Sequence, residues 1–263
     1  MTPYLMALAA ILLVAGLAWV ASVVVGKVSF VDSLWSLFFL LAAVVFAVSV
    51  DTLSMRALLV LALVAVWSLR LSLHITVRNW GEPEDHRYES IRANNEPGFV
   101  VKSVYIVFVL QGVLAWVVAA PLAPAIFSAS NLGLLDACAL LLFAIGFAFE
   151  SVGDWQLQRF RAAAGNSARV LDTGLWRYTR HPNYFGEFCI WWAFWLFAVA
   201  AGAWWTVFAP LLMSFLLLRV SGVTMLEKTV VERRPAYAEY IRNTNAFFPG
   251  SPRPLRTEEL DLS

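Results

Sequence analysis

Seven apolar stretches separated by short polar breaks set the pattern of this chain. Runs of about 17 to 25 apolar residues are long enough to cross a bilayer as helices. Such runs fall at about 5–25, 33–50, 57–77, 103–127, 132–152, 184–201 and 203–221. The second, sixth and seventh are short or joined by tight turns. The pattern predicts an all-α polytopic membrane protein with seven transmembrane helices. The first run is too long, and too weakly basic at its start, for a cleaved leader, and it is read as a retained span.

The polar breaks are unequal. The longest are Arg78 to Lys102, Gly153 to Asn183 and the tail from Glu227. Each is too short to fold alone, so they are expected to pack on one another and on the span ends. This implies a single integral-membrane domain over 1–263, with spans one to four in 1–127 and spans five to seven in 128–250. A loose tail follows at 251–263, where Pro252 and Pro254 precede an acidic TEELD run.

Composition agrees with the span pattern. The 263 residues are 60% hydrophobic and 14% charged, and the mean hydropathy is +0.71, outside the range of soluble domains. A net charge of +1 argues against a nucleic-acid partner, which needs a concentrated basic surface. Cys138 and Cys189 lie inside apolar runs and read as buried small hydrophobes. His74, His86 and His181 lack metal-ligand spacing, so no metal site is expected. Rossmann, Walker and GxSxG signatures are missing as well.

The charges add orientation. The loops after spans one, three and five and the tail hold nearly every lysine and arginine outside the spans, whereas the opposite side has only Arg56. The positive-inside rule then puts the amino terminus outside and the carboxyl terminus in the cytoplasm. Acidic residues crowd the same cytoplasmic side near span ends: Asp32, Glu84, Asp85, Glu150, Asp154, Glu187 and Glu227. Ionisable groups at membrane depth usually face a bundle interior or a wet cavity, although interfacial snorkelling would also place charge there.

Three polar constellations stand out on that side. In ESVGDWQLQRFR, Glu150, Asp154, Gln158 and Arg161 share one helical face at spacings of four, four and three. In LDTGLWRYTRHPNYFGE, Arg177, Arg180 and His181 precede Pro182, a residue suited to a first helical turn. The amides and dipole of that helix start suit a phosphate-bearing cofactor. Asn183 and Glu187 point the same way from it, able to hydrogen-bond a ribose or carboxamide, while the arginines could fork onto phosphates. The alternative is a capped interfacial helix whose arginines meet lipid headgroups. In the tail, Leu226, Val230, Tyr237 and Tyr240, with Glu227 and Lys228 at the start, suggest an amphipathic element lying on the bundle or on lipid.

These residues resemble a known family. Asp154, Leu157 and Arg161, then Asn183 to Glu187 as NYFGE, then Ser221 and Gly222 followed by Glu227, look like the carboxyl-terminal region of steroid 5-alpha-reductases. With VDSLWS, LRLSLHITVRNWGEPEDHRY and YIVFVLQ, the whole chain looks like the bacterial DUF1295 branch of that superfamily. RHPNY alone is less specific, because isoprenylcysteine carboxyl methyltransferases and sterol reductases carry similar helices.

The resemblance implies an NADPH-dependent reductase of the bacterial inner membrane. Cytoplasmic loops and the tail would close over a cofactor held by spans five to seven, with a lipophilic substrate among spans one to four. Carried over residue by residue, Asp154, Arg161, Asn183 and Glu187 would contact the cofactor, and Arg78 would add another contact from span three. Arg177, Arg180, His181 and Tyr184 join them by proximity to the motif, Glu150 and Gln158 by sharing the helical face of Asp154 and Arg161, and Glu227, Tyr237 and Tyr240 from the tail, where the two tyrosines could equally be interface anchors. The expected reaction is conjugate reduction of an enone, with hydride arriving at the β carbon and a proton donor acting at the carbonyl.

This chain departs from the steroid reductases at the acid. Their Gln-Glu pair on an early span is absent, and their tyrosine position falls at Ile75. Asp32, His74 and Tyr105 are the candidate substitutes. Asp32 could instead cap the second span, and His74 could be a core histidine. The alternatives in function are an S-adenosylmethionine-dependent methyltransferase and a non-catalytic lipid-binding protein. Tryptophans at span ends read as interface belts, with Trp35, Trp67 and Trp116 placed to line a cavity.

Overall fold

The apolar runs predicted above are mainly helical in the computed structural model, which describes residues 1–163, 165, 169–220 and 236–252, but the fourth run, 103–127, is broken by a turn at 119–121 into two helices. No strand occurs among the described residues. The helices are α1 (Pro3–Val25), α2 (Val31–Ala47), α3 (Met55–Asn79), α4 (His86–Asn95), α5 (Phe99–Val118), α6 (Leu122–Phe127), α7 (Leu134–Ala162), α8 (Pro182–Ala200), α9 (Trp204–Val220) and α10 (Ala236–Asn243).

Four of these, α1, α3, α5 and α7, are long and apolar enough to cross a membrane. The apolar helices α2 and α9 are shorter. At 17 residues, α2 reaches about 26 Å, slightly less than the roughly 30 Å of a hydrocarbon core. Helix α8 has 19 residues, but its polar first turns and Trp191, Trp192 and Trp195 set it apart from those four. Helix α5 contains a π-helical turn at Val104–Val109, and α9 ends in another at Leu216–Val220.

The chain divides into two compact units: Met1–Ala137 with Phe194–Ala209, and Cys138–Ala193 with Pro210–Ser263. The sequence places its division after residue 127. In the structure, residues 128–136 stay with the first unit because Arg56 of α3 binds them through Ser128, Ser130, Asn131 and Asp136.

Helix α2 is the centre of the first unit. Phe38, Phe39, Ala42, Ala43 and Phe46 are all buried, and the helix packs most closely on α3, with α1, α5 and α6 around it. On α1, Ala7, Ile11, Ala15, Ala18 and Ser22 form one buried stripe of mostly small side chains, which lets neighbouring backbones come close. Leu13, Leu17, Val20 and Val24 of the same helix are exposed, as lipid-facing side chains would be.

Two of the tryptophans placed in a cavity by sequence belong to packing instead. Trp67 is fully buried against Phe39 and Phe194. Trp116 and Tyr4 each donate a side-chain hydrogen bond to the other's carbonyl, at 2.8 and 2.9 Å. Trp80, Trp155, Trp204 and Trp205 are exposed near helix ends, as interface residues are.

Candidate functional site

Glycines determine what comes together in the second unit. Gly146 of α7 and Gly186 of α8 face each other so closely that a Cβ on Gly146 would lie 2.6 Å from the Gly186 carbonyl oxygen. Two turns along α7, a Cβ on Gly153 would lie 3.1 Å from Pro182 and 3.2 Å from the Asn183 nitrogen. The start of α8 therefore rests directly on the backbone of α7. This contact brings Asp154, the next residue, to Asn183, whose Nδ2 donates to Asp154 Oδ1 at 3.1 Å.

Burial grades along this face. Glu150, Asp154 and Glu187 are 2%, 7% and 9% exposed, which makes them deeply buried carboxylates on two touching helices. Asn183 is partly exposed, while Gln158 and Arg161, further along the same face of α7, are exposed. The sequence-predicted face thus exists, with an acidic inner end and a basic outer end.

The loop before α8 is tied down in detail. Gln156 Oε1 accepts from the Leu175 amide at 3.0 Å, and Trp176 Nε1 donates to the Gly153 carbonyl at 3.1 Å. These bonds hold the 3-10 turn Gly174–Arg177, on which Arg177 is exposed. Thr179 Oγ1 accepts the His181 amide at 3.3 Å, and Asn183 Oδ1 accepts the Tyr184 amide at 3.1 Å. Side chains therefore cap part of the helix start that the sequence reading reserves for phosphate.

Arg180, His181 and Tyr240 also have contacts that the sequence did not foretell. The Arg180 amide donates to the Asn245 carbonyl at 2.9 Å, and its Nη1 donates to the carbonyls of Ile241, at 3.1 Å, and of Thr244. His181 Nδ1 donates to the Ala246 carbonyl at 2.9 Å, and the Tyr240 hydroxyl donates to the Trp176 carbonyl. Tyr184 lies parallel to the His181 ring at 5.7 Å, and Tyr237 meets Tyr240 edge-on at 5.4 Å. The amphipathic tail is present as α10. Glu227, like Leu226, Lys228 and Val230, lies outside the described residues.

The first unit holds the remaining candidates. Asp32 sits inside the first turn of α2, whose N-cap is Phe30, so Asp32 is not the cap. Its Oδ1 accepts from the Tyr88 hydroxyl at 2.5 Å, and its Oδ2 accepts from Arg87 Nη2 at 2.8 Å. Gln111 Nε2 donates to the Tyr88 oxygen at 2.9 Å, and Arg87 also binds Asp85. Burial, reinforced by the Asp32 carboxylate, pushes the Tyr88 phenol well above its ordinary range. For Asp85, burial acts upward, but the hydrogen bonds from Arg87 outweigh it and hold the carboxyl below the usual carboxylate range. His74 is half-buried on α3 and Tyr105 is exposed in the π-helical turn of α5. Arg78 is exposed, with Nε donating to Asn79 Oδ1 at 3.1 Å.

Sequence reading missed Tyr88 and Gln111, whose meeting depends on a fold that joins α4 to α2 and α5. It also passed over Arg70, a guanidinium with buried nitrogen atoms within the third span. Its signal was available, because an arginine inside an apolar run is costly there.

Residues 18–244 match a family described as protein of unknown function, DUF1295. The chain belongs to the DUF1295 family. An uncharacterized protein of Schizosaccharomyces pombe is 28% identical over 94% of this chain and 80% of its own length. No solved structure matches the chain at a significant level. The DUF1295 match covers the Asp154–Asn183 pair, the Arg180 loop and the Asp32–Tyr88 pair.

Proposed function

We propose that this DUF1295 protein is a seven-span member of the steroid 5-alpha-reductase superfamily. In this reading it uses NADPH to reduce a carbon–carbon double bond conjugated to a carbonyl in a lipophilic substrate. It would lie in the bacterial inner membrane with the amino terminus outside. The observation that carries the proposal is the Asn183–Asp154 hydrogen bond, held by backbone contact between α7 and α8 at the positions where the family resemblance puts cofactor contacts.

The residues fit a dinucleotide. The carboxylate of Asp154 and the carboxamide of Asn183 supply the acceptor and mixed donor–acceptor chemistry that a ribose or a nicotinamide carboxamide needs. Arg161 and Arg177 are exposed on the same unit and supply phosphate-binding guanidinium groups. When bound, NADPH would supply the hydride. Within the first unit, Tyr88 is the best-ordered candidate proton donor: its hydroxyl is held between Asp32 and Gln111, and Arg87 fixes Asp32.

One observation favours a second reading. Glu150, Asp154 and Glu187 are three buried carboxylates on one pair of helices, and Arg180 donates to the Ile241 carbonyl of α10. Carboxylates are the side chains that a cationic sulfonium, as in S-adenosylmethionine, accepts beside it.

Thermal unfolding of the detergent-purified protein with NADPH, NADH and S-adenosylmethionine separates the two readings, since a ligand of the folded state raises its stability. A shift with NADPH that is lost in both Asp154→Ala and Asn183→Ala is the expected result. A shift with S-adenosylmethionine alone would replace the reductase by a methyltransferase. No shift with any of the three would leave a lipid-binding protein.

A further inference from the structure

The three residues ahead of Pro182 turn their hydrogen-bonding groups toward the carboxyl-terminal segment. Thr179 Oγ1 donates to the Phe247 carbonyl at 2.8 Å, the Arg180 amide to Asn245, and His181 Nδ1 to Ala246. In return, the Gly250 amide donates to the Tyr178 carbonyl at 3.0 Å. The Arg180 guanidinium closes the end of α10, whose last carbonyls have no partner within the helix. A cation is also the charge that a helix carboxyl end favours.

Aromatic packing grips the same region. Phe247 and Phe248 meet Phe185 edge-on at 6.1 Å, and meet Phe188 at 5.5 and 5.8 Å. Residues 236–250 thus form a strap across the first two turns of α8. Arg180 is 6% exposed and Thr179 is fully buried beneath that strap. The arginine that sequence reading gave to a phosphate is built into the wall.

We propose that Arg180 is a positioning residue. With Thr179 and His181 it fastens the strap, and the strap fixes the first turn of α8 so that the Asn183 carboxamide stays on Asp154. This rests on the reading of Asp154 and Asn183 as the cofactor pair. It differs from direct recognition because Arg180 acts on the ligand only through the helix it anchors. Strap docking and nucleotide binding are then reciprocally linked, each favouring the other.

Hydrogen exchange on the full-length protein in detergent tests this, read over 182–190 and 240–250 with and without NADPH. In Arg180→Ala, exchange should rise about tenfold in both segments, with α1 to α3 unchanged. NADPH affinity should fall by about tenfold. Arg180→Lys, which keeps one donor to a carbonyl, should restore part of both effects, and Thr179→Val should loosen the strap less. In the wild type, NADPH should slow exchange in 240–250.

A looser strap with unchanged exchange in 182–190 would overturn the positioning role. So would weaker NADPH binding with the strap still protected, because Arg180 would then touch the ligand itself. If the wild type binds no NADPH, only the cofactor reading fails. The exchange response of 182–190 to Arg180→Ala and Arg180→Lys still decides whether the strap sets that turn.

Discussion

Arg56 and Asp136 form a buried bidentate ion pair across 80 residues of sequence, with Nε to Oδ1 at 2.6 Å and Nη2 to Oδ2 at 2.8 Å. Arg56 Nη1 donates to Ser128 and Ser130, and Nη2 also donates to the Asn131 carbonyl, so each of the five guanidinium N–H groups has an acceptor. Asp136 in turn accepts the Gly133 amide at 2.8 Å. The pair joins the first turn of α3 to the first turn of α7.

Removing one partner should leave the other charge buried and unpaired. Arg56→Ala is expected to destabilise the protein by about 3–5 kcal/mol, and Arg56→Met combined with Asp136→Leu should recover most of that loss. Denaturant unfolding in detergent compares the three. A double variant as unstable as the single would contradict the assignment.

The contact of α7 with α8 allows no side chain at its closest point. A Cβ on Gly186 would overlap the Gly146 carbonyl oxygen and crowd the Glu150 backbone, so Gly186→Ala should cost about 1–3 kcal/mol or more through overpacking. It should also weaken ligand binding by separating Asn183 from Asp154. Gly16→Ala on α1, where a Cβ meets nothing within 4 Å, is the control and should leave the unfolding midpoint nearly unchanged.

Tyr88→Phe keeps the ring but removes the hydroxyl shared by Asp32 and Gln111. Losing these bonds at a buried position should cost about 1–3 kcal/mol. If Tyr88 is the proton donor, turnover should fall far more than nucleotide affinity. Equal losses in both would assign Tyr88 to structure alone.

Docking of the segment between α3 and α5 should depend on pH in two opposite senses. Asp85 has a depressed folded-state pKa, so its contribution is present above the ordinary carboxylate value of about 3.9 and is lost as pH falls through the depressed value. Tyr88 has a raised one, so its contribution is present below the ordinary phenol value of about 10 and is lost as pH rises beyond it. Limited proteolysis of residues 82–98 across pH reads both limbs. Asp85→Asn should flatten the acid limb and Tyr88→Phe the alkaline one.

The sequence by itself determined the helices and the polar faces. Apolar runs longer than a bilayer is thick leave the backbone no alternative to helix, so α1, α3, α5 and α7 were legible from hydropathy. Periodicity placed Glu150, Asp154, Gln158 and Arg161 on one side of α7, since the helical repeat depends only on local backbone geometry. The hydrogen bond from Asn183 to Asp154, by contrast, depends on two helices touching at glycines 40 positions apart, Gly146 and Gly186. The partners of Arg56, Asp32 and Arg180 were likewise beyond reach. A charged side chain announces that it needs a partner, because its burial alone is costly, but not which distant segment provides one. That choice is made by packing, and so only the tertiary structure decided that Arg180 holds the carboxyl-terminal strap and that Asp32 receives Tyr88.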